Sequence, residues 1–153
     1  MKNFSELLDT DVKITISVSI APITNNGDPV VWIRINDRTL YHGRLAFPIL
    51  TQLDIAVLDP IEIEIGMSHK IYDQNLETAV IINSVCIDGF EIVPNFTHLA
   101  QYQNERNINQ PTSYLGFNGY WKLTIPEPFY CWQHCITGQG WLLEPVLPKN
   151  NNF

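Results

Sequence analysis

Apolar and polar residues alternate along most of the chain, with the period of a half-buried β-strand. In "VKITISVSI", residues 12–20, every second residue is valine or isoleucine, and lysine, threonine or serine stands between them. The same alternation occurs in "VVWIRIN", residues 30–36, and in "IEIEI", residues 61–65, where we expect the glutamates on the solvated face. The pattern predicts antiparallel strands with one face in a core.

Turn signals separate these apolar runs. Asn36-Asp37 lies between two β-prone runs, and Asp88-Gly89 interrupts "AVIINSVCIDGFEIV", residues 79–93. Both dipeptides favour the tight turn of a β-hairpin. Almost no part of the sequence shows the periodicity of a helix. We therefore predict an all-β fold, a single antiparallel jelly-roll-like β-sandwich of about eight strands.

The alternation stops in residues 94–120, a polar segment rich in asparagine and glutamine. Since so long a connection in a compact domain needs a reason, we predict one long loop here that serves binding or an interface. We expect the sandwich domain to span residues 12–147. An N-terminal arm or short helix, capped by Ser5, is predicted in residues 1–11, and a flexible tail in residues 148–153.

Composition narrows the classes of function. The chain has 153 residues, of which 45% are hydrophobic, enough for the core of one domain. Its net charge is −7, and lysine and arginine are scattered singly, so we expect no nucleic-acid partner. We see no apolar segment suited to a signal peptide or a membrane span, and expect a soluble protein made in the cytoplasm that has no membrane partner.

The cysteines do not suggest a disulfide framework, because Cys86, Cys131 and Cys135 are few and odd in number. The motif "CWQHC" brings His134 close to two of them in sequence, as a metal site or a thiol nucleophile requires. On a strand, however, Cys131 and Cys135 would lie about 13 Å apart, with His134 on the opposite face. Only a helical turn would bring the two cysteines together, and since "FYCWQHCI" is aromatic and weakly helical, we interpret the motif as packing.

No catalytic arrangement is visible in the sequence. The other histidines, His42, His69 and His98, are isolated, and no nucleophile-elbow or phosphate-loop motif occurs. Glu62 and Glu64 form a carboxylate pair, but such a pair is usual on a solvated strand face. We predict that the protein is not an enzyme and has no catalytic residues.

The aromatic residues of the 94–120 segment suggest ligand binding. Aromatic faces pack against the C–H face of a sugar ring, and amide side chains can hold its hydroxyls, although aromatic residues are also enriched in cores and protein interfaces. Trp121 and Trp141 each begin an apolar run after a glycine-bearing turn, so we interpret both as core residues. The residues predicted to bind a glycan or a protein partner are Tyr102, Asn104, Tyr114, Phe117 and Asn118.

The run "DQNLETAVIINSVCIDGFEI", together with the strands before it, gives residues 12–92 a resemblance to calcium-dependent, xylan-binding carbohydrate-binding modules. Those modules have an Asp-Arg-Asn-Leu segment before a strand that ends in a glycine turn. Here Gln74 replaces the arginine, and "MSHK", residues 67–70, replaces an upstream Asn-Asp pair that helps hold the metal. The resemblance implies a jelly-roll-like sandwich.

The same resemblance raises the possibility of a calcium ion. Its candidate ligands are Asp73, Asn75 and Glu77, which stand at alternate positions and could supply part of an oxygen shell. Asp-x-Asn is equally ordinary turn chemistry. Both interpretations stay open from sequence.

The C-terminal third, "TSYLGFNGYWKLTIPEPFYCWQHCITGQGWLLEP" within residues 94–147, resembles small uncharacterised proteins of tailed bacteriophages, particularly those of cyanobacteria. Our first hypothesis is therefore a non-catalytic virion component of a phage head, neck or tail. It would attach to virion proteins, or to copies of itself, through the long loop and the termini. The alternative is a carbohydrate-binding module, with or without the assistance of calcium, that recognises a cell-surface glycan.

Overall fold

The computed structural model describes residues 12–108 and 110–138, so the predicted arm with its Ser5 cap, the tail and Trp141 lie outside the described residues. Ten strands are present in this part of the chain. In chain order they are β1 (Lys13–Thr24), β2 (Val30–Ile35), β3 (Arg38–Arg44), β4 (Ile49–Ala56), β5 (Ile61–Ser68), β6 (Thr78–Ile87), β7 (Phe90–Val93), β8 (Gln101–Asn104), β9 (Tyr114–Leu115) and β10 (Gly119–Ile125).

The strands form two five-stranded antiparallel sheets packed as a sandwich. The first sheet has the order β4-β1-β6-β7, and β9 pairs with β6 as well. The second sheet has the order β3-β2-β5-β10-β8. The predicted all-β sandwich is therefore confirmed.

The core consists of the side chains that alternate inwards from both sheets. On β1, Ile16 and Val18 are fully buried, and on β5, Ile63 is buried while Glu62 is exposed. Trp121 on β10 is among the largest fully buried side chains, as predicted. Period-two alternation thus located the core correctly, because a strand turns successive side chains to opposite faces.

Both predicted hairpin turns are present. Asn36 and Asp37 connect β2 to β3 with φ angles of 47° and 68°. Asp88 and Gly89 connect β6 to β7 with φ angles of 50° and 81°. Two successive positive φ angles define the tight turn that matches the twist of the flanking strands, and asparagine, aspartate and glycine tolerate them best.

The segment 94–120 is not one continuous loop. It contains a short 3₁₀ helix, Thr97–Leu99, and the strands β8 and β9. Strands of four and two residues are too short for alternation to reveal them, and they are defined by pairing with β10 and β6. The polar composition of the segment therefore hid two elements of the sheets.

The placement of "CWQHC" on a strand is wrong, because these residues belong to a helix, α1 (Phe129–Thr137). Phe129 and Trp132 are the buried residues of α1, and Gly138 ends it with a left-handed φ of 75°. Helical spacing puts Cys131, His134 and Cys135 on one side of α1, not on opposite faces.

The three cysteines are free thiols, half-buried at Cys86 and Cys131 and exposed at Cys135. In the described part of the chain, no group of three or more histidine, cysteine, aspartate or glutamate side chains is placed to hold a metal ion. Nor is any described helix long and apolar enough to cross a membrane.

Candidate functional site

Three chain segments meet at one end of the sandwich. Gly119, the first residue of β10, is paired with Met67 near the end of β5 on one side and with Asn104 at the end of β8 on the other. The segments after β5 and β8 and the segment before β10 therefore leave the second sheet at the same end. Residues distant in sequence are brought together here by strand register.

These segments enclose a cleft of about 490 Å³, which falls in the range typical of small-molecule sites. Its lining combines aromatic rings, two cations, two carboxylates and amide or hydroxyl groups. The lining residues are Lys70, Tyr72, Asp73, Gln74, Glu77, Tyr102, Arg106, Ile108, Gln110, Thr112, Tyr114, Gly116 and Phe117.

Two aromatic rings form one wall of the cleft. The ring centroids of Tyr72 and Phe117 lie 6.3 Å apart, and the ring planes meet at 41°. The backbone N–H of Asn118 donates to the Tyr72 hydroxyl oxygen at 3.0 Å. The wall is held together by the main chain of the turn before β10 as well as by ring contact.

Tyr102, predicted to be a surface ligand-binding residue, is instead 6% exposed and part of the core. Its hydroxyl donates to the carbonyl of Phe117 at 2.8 Å and accepts from the N–H of Phe117 at 2.9 Å. Burial raises the pKa of this hydroxyl, which favours the neutral form that can both donate and accept. Tyr102 therefore positions Phe117 from beneath.

Lys70, Glu77 and Tyr114 form a charged network in the cleft, and Lys70 Nζ also lies 5.0 Å from the ring centroid of Tyr72. Lys70 Nζ donates to Glu77 Oε1 at 2.5 Å and to the carbonyl of Gly116 at 2.6 Å, and its side chain is only 4% exposed. The Tyr114 hydroxyl donates to Glu77 Oε2 at 2.6 Å. Both oxygens of Glu77 are thus occupied by side-chain donors of the cleft itself.

The network changes the titration of Glu77. Burial raises the pKa of its carboxyl, but the hydrogen bonds from Lys70 and Tyr114 and the positive charge of Lys70 outweigh burial and lower the pKa. A carboxyl whose folded-state pKa is lowered stabilises the fold above its unfolded pKa, and this contribution is lost as the pH falls through the folded-state pKa. The network therefore weakens in acid.

Tyr114 should titrate far above an ordinary tyrosine. Burial and the hydrogen bond to Glu77 raise the pKa of its hydroxyl from 10.0 to about 12. Because the folded-state pKa is the higher one, the contribution of Tyr114 is fully present below pH 10.0 and lost as the pH rises through about 12. We expect the ultraviolet difference titration between the wild type and Tyr114→Phe to show this pKa.

Glu77→Gln is the companion variant for this titration. It removes the negative charge but keeps the burial of Tyr114, so the pKa of Tyr114 should fall without returning fully to 10.0. A Tyr114 that titrates near 10.0 in the wild type would show that its hydroxyl is neither buried nor hydrogen-bonded to Glu77 in solution.

Two of the three candidate calcium ligands, Asp73 and Glu77, use their carboxylates in other contacts. Asp73 Oδ1 accepts the backbone N–H groups of Asn75 at 2.8 Å and Leu76 at 3.2 Å, which is the turn chemistry considered above. Glu77 holds the ammonium of Lys70 in place of a metal ion. As arranged here, these residues do not fit a calcium site, and calcium stays a prediction for titration to test.

The other two predicted ligand-binding residues are half-buried and shape the cleft. Asn104 Oδ1 accepts the N–H groups of Arg106 at 3.0 Å and Ile108 at 3.3 Å, so it fixes the turn after β8. Asn118 Oδ1 accepts the N–H of Lys70 at 2.9 Å, and its Nδ2 donates to Glu105. Of the five predicted residues, Tyr114, Phe117 and Tyr102 line the cleft.

Three residues of the cleft were not predicted from the sequence: its two cations, Lys70 and Arg106, and the aromatic residue Tyr72. Lys70 and Tyr72 follow β5, whereas Phe117 precedes β10, and only the pairing of those strands brings them together. No local spacing signals such a contact. The register of β5 with β10 would have been needed to find it.

A second aromatic surface lies on the outer face of the second sheet. The indole ring of Trp32 lies over Gly66, since a Cβ at residue 66 would be 2.0 Å from the ring. Its Nε1 donates to Glu64 at 2.6 Å, and the hydroxyl of Tyr120 donates to Gln103 at 2.6 Å. This surface is an open sheet face, and none of these residues lines the cleft, so the concave cleft is the stronger candidate site.

No protein-family model and no curated protein matches the chain. A solved structure described as "vCBM60 in complex with galactobiose" has 14% sequence identity and a TM-score of 0.49, and the match covers 72% of this chain and 97% of that chain. A second solved structure is a selenomethionine form of vCBM60, and its description concerns an evolutionary link between two families of calcium-dependent carbohydrate binding modules. It has the same identity and TM-score, and the match covers 73% of this chain and 91% of that chain.

A likeness at this level assigns neither a ligand nor a residue role to this chain. The comparisons also do not show the predicted resemblance to phage proteins.

Proposed function

We propose that the protein is a non-catalytic carbohydrate-binding β-sandwich and that the cleft at the end of its second sheet holds a glycan. One observation carries the proposal. The rings of Tyr72, Phe117 and Tyr114 border one concave space that also contains polar side chains free to meet sugar hydroxyls. Aromatic faces and placed polar groups are what a sugar ring requires.

Two amide side chains of the cleft are available to bind a ligand. Gln74 and Gln110 are exposed and form no hydrogen bond to other described residues. The amide of each can both donate and accept, as can a sugar hydroxyl. By contrast, the carboxylate of Glu77 is engaged by Lys70 and Tyr114. Sugar hydroxyls would therefore form hydrogen bonds with these two amides, while the network of Lys70, Glu77 and Tyr114 holds the cleft residues in position.

Pre-formed rings also favour binding. Phe117 is fixed by two hydrogen bonds of its main chain to Tyr102, and Tyr72 by one from Asn118. Because these groups are ordered before the ligand arrives, less conformational entropy is lost when it binds. The geometry supports binding of a short glycan segment, since the volume of about 490 Å³ is of small-ligand size.

A glycan array followed by calorimetric titration of the strongest hits tests the proposal. We expect Tyr114→Ala and Phe117→Ala each to weaken binding at least tenfold, which corresponds to about 1.4 kcal/mol. Tyr130→Ala is the matched control. Tyr130 is 42% exposed and Tyr114 is 40% exposed, but Tyr130 lies on α1, outside the lining of the cleft.

A blank array, or affinities that Tyr114→Ala and Phe117→Ala leave unchanged, would contradict the proposal. The titrations are to be repeated with calcium and with a chelator. Because Lys70 supplies the positive charge beside Glu77, we expect affinity to be independent of calcium. A requirement for calcium would restore the metal interpretation of Asp73, Asn75 and Glu77.

The virion role stays a prediction from sequence, and no observation of the described residues favours it. It is compatible with the proposal, since a virion protein can also bind a glycan. The absence of catalytic activity likewise stays a prediction.

A further inference from the structure

We infer that the cleft selects acidic glycans, and that Arg106 meets the carboxylate of a uronic acid unit. This inference rests on the proposed function and names the class of ligand within it. It begins from the position of the guanidinium. The Arg106 Cζ lies 4.4 Å from the ring centroid of Tyr72 and 5.6 Å from that of Phe117. Arg106 thus lies against the same two rings that form the wall.

Among the described residues, Arg106 has no carboxylate within ion-pair distance. The ion pairs of this part of the chain join Arg34 to Glu64, Lys70 to Glu77, and Lys122 to Glu62 and Glu64. The other cation of the cleft, Lys70, is therefore already paired. Arg106 contributes the positive charge of the cleft that is still available to a ligand.

The turn that carries Arg106 is ordered. Asn104 accepts the N–H of Arg106, and the N–H of Glu105 donates to the carbonyl of Asn118 at 3.1 Å. Asn107 adopts a φ of 57° and donates its N–H to the carbonyl of Asn104 at 3.1 Å. These bonds fix the main chain at Arg106, so the guanidinium approaches the rings from a defined backbone.

An exposed guanidinium that lies against an aromatic ring can still donate hydrogen bonds from its edge. Its planar N–H fork matches a carboxylate, to which it can donate two parallel bonds, and this match is not available to a neutral hydroxymethyl group. A sugar ring over Phe117 with its carboxylate at Arg106 satisfies both groups. The net charge of −7 opposes long polyanions, so short acidic segments are the expected ligands.

The test uses a panel of short oligosaccharides of galacturonic, glucuronic and mannuronic acid, each paired with its methyl ester. The ester keeps the sugar and its linkage but removes the charge. We expect the strongest acid ligand to bind at least tenfold more tightly than its ester, with an affinity that falls as ionic strength rises. Arg106→Gln should remove this preference while the ester still binds.

Two further variants separate the local contact from general electrostatics. Arg34→Gln changes the net charge equally but acts at an ion pair on β2, so it should leave the preference for acid intact. Arg106→Lys keeps the charge but loses the planar fork, so it should keep less than half of the preference. Esters that bind as tightly as acids, or a preference unchanged in Arg106→Gln, would overturn the inference while leaving glycan binding in place. If neither acids, esters nor the neutral array glycans bind, the proposed function fails as well.

Discussion

Gly119→Ala is expected to lower the free energy of unfolding by about 3 kcal/mol and to weaken ligand binding more than tenfold. A Cβ at residue 119 would lie 2.1 Å from the carbonyl oxygen of Gln103 and 2.6 Å from Cα of Asn104, both of them backbone atoms. Overpacking of this kind costs about 2 kcal/mol. The positive φ of 153° adds strain of about 1 kcal/mol for a residue with a side chain.

The loss of binding follows from the same collision. To admit the methyl group, β8 must move away from β10, and this movement shifts Asn104 and the turn that carries Arg106. Asn118, the neighbour of Gly119, holds Lys70 and Tyr72 by hydrogen bonds. Urea unfolding monitored by tryptophan fluorescence, together with titration of the array ligand, measures both effects.

Gly27→Ala is the matched control for Gly119→Ala. Gly27 also has a positive φ, 92°, but a Cβ there meets nothing within 4 Å. It should therefore cost only the backbone strain of about 1 kcal/mol and leave affinity unchanged. Equal losses in the two variants would show that the close contact between β10 and β8 is not what the cleft depends on.

Trp121→Ala is expected to have the largest effect on stability, a loss of about 3–5 kcal/mol. The side chain is 1% exposed, and its main chain pairs with Ile65 of β5 and Tyr102 of β8. Removing the indole leaves a cavity in the core directly beneath the strands that carry the cleft. For a chain of this length, the loss corresponds to a fall in Tm of roughly 6–20 °C.

Trp32→Ala tests how much of the loss of stability in Trp121→Ala comes from the burial of the side chain. Trp32 is half-buried on the outer face of the second sheet, so its removal leaves no enclosed cavity and should cost less than half as much. Trp121→Phe should also cost less than Trp121→Ala. The Nε1 of Trp121 is buried without a hydrogen-bond partner in the described part of the chain. Replacing the indole with the smaller phenyl ring therefore reduces the buried volume but breaks no hydrogen bond. Similar losses in Trp32→Ala and Trp121→Ala would contradict this description of the core.

The strands and tight turns could be predicted because their signals are local. Ile14, Ile16 and Val18 alternate with polar residues on β1, and Asp88-Gly89 has the backbone freedom that its turn requires. The helix α1 was missed because "FYCWQHCI" is aromatic and a poor helix former. Its flanking residues did carry a signal, since Pro128 precedes the helix and Gly138 follows it.

The site was predicted in part. The glycine-rich turn predicted Phe117 and Tyr114 as ligand-binding residues, and both line the cleft, but it could not show that Tyr102 points inwards beneath them. Tyr102 lies on a strand of four residues, where alternation is too brief to assign a face. Tyr72 and Arg106 belong to the site only because β5, β10 and β8 are neighbours, which is a property of tertiary structure.

Mapping of ligand contacts by amide proton–nitrogen correlation spectra tests the central claim most directly. The isotope-labelled protein would be titrated with the strongest glycan of the array. We predict that shift changes cluster at the segments that line the cleft, around Tyr72, Arg106 and Phe117, and that they disappear in Phe117→Ala. Changes centred on Trp32 and Tyr120 at the outer face of the second sheet, with the cleft unaffected, would contradict the account.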